Sequence, residues 1–134
     1  MKSDARDRGA TAVEVALLMP ILLVLVMGIV DFGRALHAQI TLTQAAREGV
    51  RVAALKQPDP VGRTENAAVG LNSGIGVSVT ACSTPATPGS DAEVEATYTF
   101  EFVTPVGGLA GMFGGAGFGS PITLSAKGVM PCEG

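Results

Sequence analysis

The stretch Ala10-Thr11-Ala12-Val13-Glu14-Val15-Ala16-Leu17-Leu18-Met19-Pro20-Ile21-Leu22-Leu23-Val24-Leu25-Val26-Met27-Gly28-Ile29-Val30 decides the architecture, because Glu14 is its only charged residue. Read as a helix, residues 10–30 rise about 31 Å, close to the roughly 30 Å of bilayer hydrocarbon, so the run predicts one membrane crossing. Lys2, Arg6 and Arg8 precede it and Arg34 is the nearest basic residue after it. The positive-inside bias therefore predicts a short cytoplasmic leader at 1–9 and an extracytoplasmic remainder. A cleaved secretory signal is the competing reading. It asks for a shorter apolar core and a small-residue cleavage triplet, which Val26-Met27-Gly28 only approximates. Pro20 removes one backbone hydrogen bond and predicts a local kink.

Outside this run the composition is restrictive. Of the 134 residues 47% are hydrophobic and only 16% charged, which excludes a disordered chain and leaves room for one ordinary domain. Aromatics are 4% with no Trp, so the core must be built from Val, Ala, Leu and Ile. A net charge of -3 excludes the broad basic footprint of a nucleic-acid binder. One His and two Cys are too few for a zinc site of the usual kind. His37, the only imidazole, has no Ser, Cys or Asp arrangement around it that would make a catalytic triad. The sequence thus predicts no enzyme and no cofactor.

No proline interrupts the chain between Pro20 and Pro58, and the intervening residues favour helix, so a single helix is predicted from about Ala10 to Leu55. Residues 31–57 form its extracytoplasmic continuation. Ala35, Ala38, Leu42, Ala45, Gly49 and Val52 make a seam of mostly small side chains, suited either to the chain's own sheet or to another subunit's helix. Glu48 and Arg51, at i and i+3, can pair on the helix surface.

A carboxylate inside an apolar helix costs a few kcal/mol unless it is paired or snorkels to the headgroups. Glu14 follows Gly9-Ala10 at the spacing that resembles the processing motif of type IV prepilins, with Gly before the scissile bond and Glu five residues after it. The resemblance implies cleavage between Gly9 and Ala10 by a prepilin peptidase, and pairing of Glu14 with the new α-amine of a neighbouring subunit. More specifically, residues Gly9 to Pro20, Gly28 to Arg34, and Ala45-Ala46-Arg47-Glu48-Gly49-Val50-Arg51-Val52-Ala53-Ala54 resemble TadE-like proteins, pseudopilin-like minor components of the Tad (tight adherence, Flp pilus) machinery. Flp-type motifs commonly carry Tyr after the Glu, where this chain has Val15. The resemblance implies other pilin-like or Tad assembly subunits as partners. It also raises docking of the turn Arg47, Glu48, Gly49 and Arg51 on the globular domain or on a partner.

Residues 58–134 read as a small α+β domain. Asp59 and Pro60 fit the cap and first position of a short helix reaching about Leu71. Val77, Val79 and Ala81 alternate with polar residues in a first strand. Val94, Ala96, Tyr98, Phe100 and Phe102 alternate with Glu93, Glu95, Thr97, Thr99 and Glu101 in a second, which has one dry face and one wet. Ile122 to Met130 is the third. Asp91, Glu93 and Glu95 read as solvation of the wet face rather than as a cation site. A glycine-rich loop at 106–119 carries Leu109, Met112, Phe113 and Phe118; its Gly spacing does not open a nucleotide-fold helix.

Cys82 and Cys132 both fall outside the cytoplasm on this reading, where disulfides persist, so a bridge is predicted. It would close a loop of about 50 residues and contribute roughly 4 kcal/mol on the chain-entropy model. In a three-strand meander with the second strand central, the outer strands are about 9.6 Å apart. The cysteine tails must then curl inward, or the third strand must neighbour the first.

The fold expected is α+β and pilin-like: a long N-terminal transmembrane helix continuing into a helix packed on a small, mainly antiparallel sheet. The function expected is a non-catalytic pseudopilin-like subunit of a Tad/Flp pilus, held by one span in the bacterial inner membrane. A membrane-anchored binding or adhesin module, with the helix as a mere tether, is the alternative.

Overall fold

A computed structural model describes residues 4–71, 74–85, 87, 89–105, 107–108, 111, 114 and 119–132. The chain runs α1 (Asp4–Ala54), α2 (Pro60–Ala67), β1 (Gly76–Thr80), β2 (Asp91–Phe100) and β3 (Ile122–Pro131). It is an α+β arrangement of a long apolar N-terminal helix, a short helix and a three-stranded antiparallel sheet. Most of the stretch expected to be a glycine-rich loop at 106–119 lies outside the described residues.

Helix α1 begins at Asp4, six residues before the expected start at Ala10. Gly9 does not stop it, since a helical Gly costs only about 1 kcal/mol relative to Ala. Pro20 lies within the helix. From Val13 to Val30 large apolar side chains are exposed on every side, as suits a helix whose solvent is lipid rather than water.

The chain divides into two compact units, one of residues up to Gly33 with Phe102–Ser120, the other of Arg34–Glu101 with the residues from Pro121 onward. In the second unit the sheet order is β1-β2-β3, with both neighbouring pairs antiparallel. Val77 and Val79 of β1 stand opposite Ala96 and Val94 of β2, so their side chains share the face that α1 covers. Ala92, Val94, Ala96 and Phe100 of β2 are buried while Glu95 and Thr99 are exposed, the period of two read from the sequence. Strand β2 ends at Phe100, two residues short of expectation. Its last partner is Ile122, and Pro121 beyond it has no N–H for another rung.

The core has two adjoining clusters. Val50, Ala53 and Ala54 of α1 pack with Ala92 and Val94, and with the half-buried Val77, Val79, Cys82 and Cys132. Leu42 and Ala46 pack with Ala96 and Ala126, flanked by Leu71, Ile75, Tyr98 and Leu124. Helix and sheet meet closely where β3 carries Gly128: a Cβ there would lie 2.7 Å from the Ala46 carbonyl oxygen.

Helix α2 opens on Asp59, whose carboxylate accepts from the Gly62 N–H at 2.9 Å, with Pro60 in the first turn. It closes at Ala67, four residues before the expected Leu71. The Ala68 N–H bonds to both the Thr64 and Glu65 carbonyls, and Gly70 turns the chain through φ +90°.

Candidate functional site

The residues singled out in the sequence fall into separate places. Gly9, Ala10 and Glu14 lie on the exposed N-terminal part of α1, in the first compact unit. A Cβ built at Gly9 meets nothing within 4 Å, so the residue before the expected scissile bond is sterically open. Ala10 and Glu14 are one turn apart, which puts the carboxylate on the same helix face as the residue expected to carry a new N-terminus.

Arg47, Glu48, Gly49 and Arg51 occupy one stretch of α1 in the second unit, and their surroundings differ sharply. Gly49 is buried: a Cβ there would overlap the Thr64 hydroxyl and lie 3.4 Å from the Val94 side chain. Thr64 is itself buried and donates to the Pro60 carbonyl at 2.7 Å. Glu48 stands beside this contact and accepts from Arg63 Nη2 at 2.8 Å and Nε at 3.1 Å, both on the same oxygen. The Arg63 hydrogen bond holds the Glu48 carboxyl below the usual glutamate range, partly opposed by desolvation and reinforced by the charges of Arg63 and Arg51. Arg47 and Arg51 are exposed. This turn therefore grips α2 through Glu48 and Gly49 and presents its two arginines outward.

Sequence reasoning overlooked Asp31. It follows the apolar run directly, yet only 3% of it is exposed. Its Oδ1 accepts from the Val103 N–H at 3.3 Å, and its Oδ2 accepts from the Thr104 N–H at 3.2 Å and from the Thr104 hydroxyl. The carboxylate thus ties the segment after β2 to α1 where the apolar run ends, within the first unit. A charge set immediately against an apolar run was the available signal; its partners lie more than 70 residues away. The guanidinium of Arg34 stacks over the Phe100 ring at 5.3 Å, a cation–π contact in the second unit.

Cys82 and Cys132 stand at disulfide distance, their Cα atoms 5.8 Å apart. With β2 central, this is achieved by inward-curling tails. Cys82 lies two residues beyond β1 and Cys132 immediately beyond β3, where its N–H bonds to the Ser90 carbonyl at 3.0 Å. Both cysteines pack against the cluster of Val50, Ala53, Ala54, Ala92 and Val94, and Cys82 Sγ lies 3.9 Å from the Ala54 carbonyl oxygen. Among the described residues there is no cluster of His, Cys, Asp or Glu suited to a metal ion.

Helix α1 contains a segment long and apolar enough to cross a membrane, with none of that window buried in the protein. No curated protein and no solved structure matches the chain. The family of TadE-like proteins matches residues 9–51, from the glycine of the expected processing site to the second arginine of the exposed pair. Over residues 9–51 the chain is therefore similar to TadE-like proteins.

Proposed function

We propose that this chain is a non-catalytic pseudopilin-like subunit that takes part in assembling a Tad/Flp pilus. On this reading α1 anchors it in the bacterial inner membrane with residues 1–9 in the cytoplasm and residues 58–134 outside. A prepilin peptidase cuts between Gly9 and Ala10, and the Glu14 carboxylate pairs with the freed α-amine of a neighbouring subunit in the bilayer. The observation that carries the reading is the coincidence of the TadE-like match with an exposed apolar run whose only internal charge is Glu14. An unpaired carboxylate in that setting costs a few kcal/mol, and a partner amine offsets it. The partners are then other pilin-like or Tad assembly subunits.

The decisive experiment is N-terminal sequencing of the protein from cells with and without the prepilin peptidase. A mature chain starting at Ala10 only in the peptidase-positive strain is the expected result. An intact Met1 in both strains overturns pseudopilin processing and leaves a membrane-anchored module whose helix is a tether.

A further inference from the structure

The connection between β1 and β2 reads Cys82-Ser83-Thr84-Pro85-Ala86-Thr87-Pro88-Gly89-Ser90, with four hydroxyls in nine residues and two Thr-Pro pairs. Ala86 and Pro88 lie outside the described residues; Ser83, Thr84, Pro85 and Thr87 are exposed. Three of the hydroxyls hold the loop to itself. Ser83 Oγ donates to the Pro85 carbonyl at 3.0 Å and lies 3.3 Å from Thr87 Oγ1, and Ser90 Oγ donates to the Thr87 carbonyl at 2.8 Å. Among the described residues the Thr84 hydroxyl has no hydrogen-bond partner. The exposed Thr80, Thr99 and Thr123 sit on strands whose backbone is paired. Thr84 instead precedes a proline, which has no N–H to give to a ladder, so its backbone stays free for an enzyme to grip.

We propose that Thr84 is the acceptor of an O-linked sugar. A Ser/Thr/Pro-rich exposed segment is the compositional mark of O-glycosylated chain. Asn66 and Asn72 are followed two residues later by Ala and Gly, so the chain has no Asn-x-Ser/Thr acceptor. In the reaction Thr84 Oγ1 bonds to the anomeric carbon of a sugar carried on a lipid pyrophosphate. The bond from that carbon to the pyrophosphate oxygen breaks, the pyrophosphate leaves with the electron pair, and the hydroxyl proton passes to a base of the transferase. The proposal rests on the extracytoplasmic placement of residues 58–134 given above.

The test is peptide mapping by mass spectrometry of the full-length protein extracted from its own membrane, with outside thiol labelling of an Asp91→Cys variant as a record of topology. The expected result is sugar mass on the peptide containing Thr84, lost completely in Thr84→Val and retained in Thr84→Ser. An unmodified peptide overturns the proposal. If the thiol introduced by Asp91→Cys is labelled from outside, only the glycosylation has failed; if it is protected, the topology has failed with it. Sugar mass that survives Thr84→Val also overturns the assignment and moves the acceptor to another hydroxyl.

Discussion

Gly49 of α1 and Thr64 of α2 meet with no space for a side chain between them. The Thr64 hydroxyl is committed to the Pro60 carbonyl and the residue is fully buried, so it cannot swing aside without losing that bond. Gly49→Ala is therefore expected to destabilise the protein by about 1–3 kcal/mol, the usual cost of overpacking. Denaturant unfolding of the full chain in detergent measures it. In a Thr64→Ala background the same substitution should cost less, because the overlapping oxygen is gone; equal costs would show that the two residues are not coupled.

At Gly128 the obstacle is backbone. A methyl group there presses on the Ala46 carbonyl oxygen and the Val50 side chain, so α1 must lift from β3. Gly128→Ala should lower the unfolding midpoint, again by about 1–3 kcal/mol, and should spread chemical-shift changes along Ala46 and Val50 rather than on β3 alone.

The Glu48 and Arg63 pair gives a pH dependence of definite sign. The folded pKa of Glu48 is depressed, so its contribution is present above the unfolded value and disappears as pH falls through the folded one. Both side chains reach solvent, which keeps the effect small and salt-sensitive. The Glu48 carboxyl resonance should titrate below the ordinary glutamate range. In Arg63→Gln it should return to that range.

Asp31→Asn replaces one accepting oxygen with an NH2 group. Whichever way the amide is turned, one of the Val103 and Thr104 N–H groups faces a donor. An unsatisfied group costs about 1–3 kcal/mol when fully buried and less at these part-buried amides, and amide exchange at Val103 and Thr104 should accelerate. Unchanged exchange at both would mean that the carboxylate does not hold the segment.

Glu14→Gln removes the charge while keeping the shape of the side chain. Pilus assembly should fall sharply with membrane insertion unchanged, since a neutral amide does not pair with an amine as a carboxylate does. Normal piliation in this variant would sink the pairing role.

The α1 helix was legible because an apolar run of membrane length is followed by helix-favouring residues with no proline before Pro58, and the faces of β2 because they repeat every two residues. The expected helix seam is buried from Ala38 onward, at Leu42, Ala45, Gly49 and Val52 as well, while Ala46, Val50 and Ala53 beside it also meet the sheet and Gly49 lies against both Thr64 of α2 and Val94 of β2. Small residues signal close approach without saying to what. The Glu48 to Arg63 pair, Asp31 with Thr104, and the inward curl at Cys82 and Cys132 all depend on where distant segments come to rest, and no local pattern encodes that. TadE likeness was legible because it lies in the order of Gly9, Glu14 and the Arg47 to Arg51 turn along one helix.

The cysteine pair sits where both outer strands of the sheet end and where the last turn of α1 lies against them. Once bridged, residues 82–132 form a covalent ring that contains β2 and β3, and the end of β1 is tied through Cys82 to the end of β3. Peeling β3 from β2 at this end then drags the end of β1 with it. The outer strands therefore part from β2 together or not at all at that end of the sheet, and the ten paired positions of β2 and β3 are held from slipping by a bond that lies outside the ladder itself.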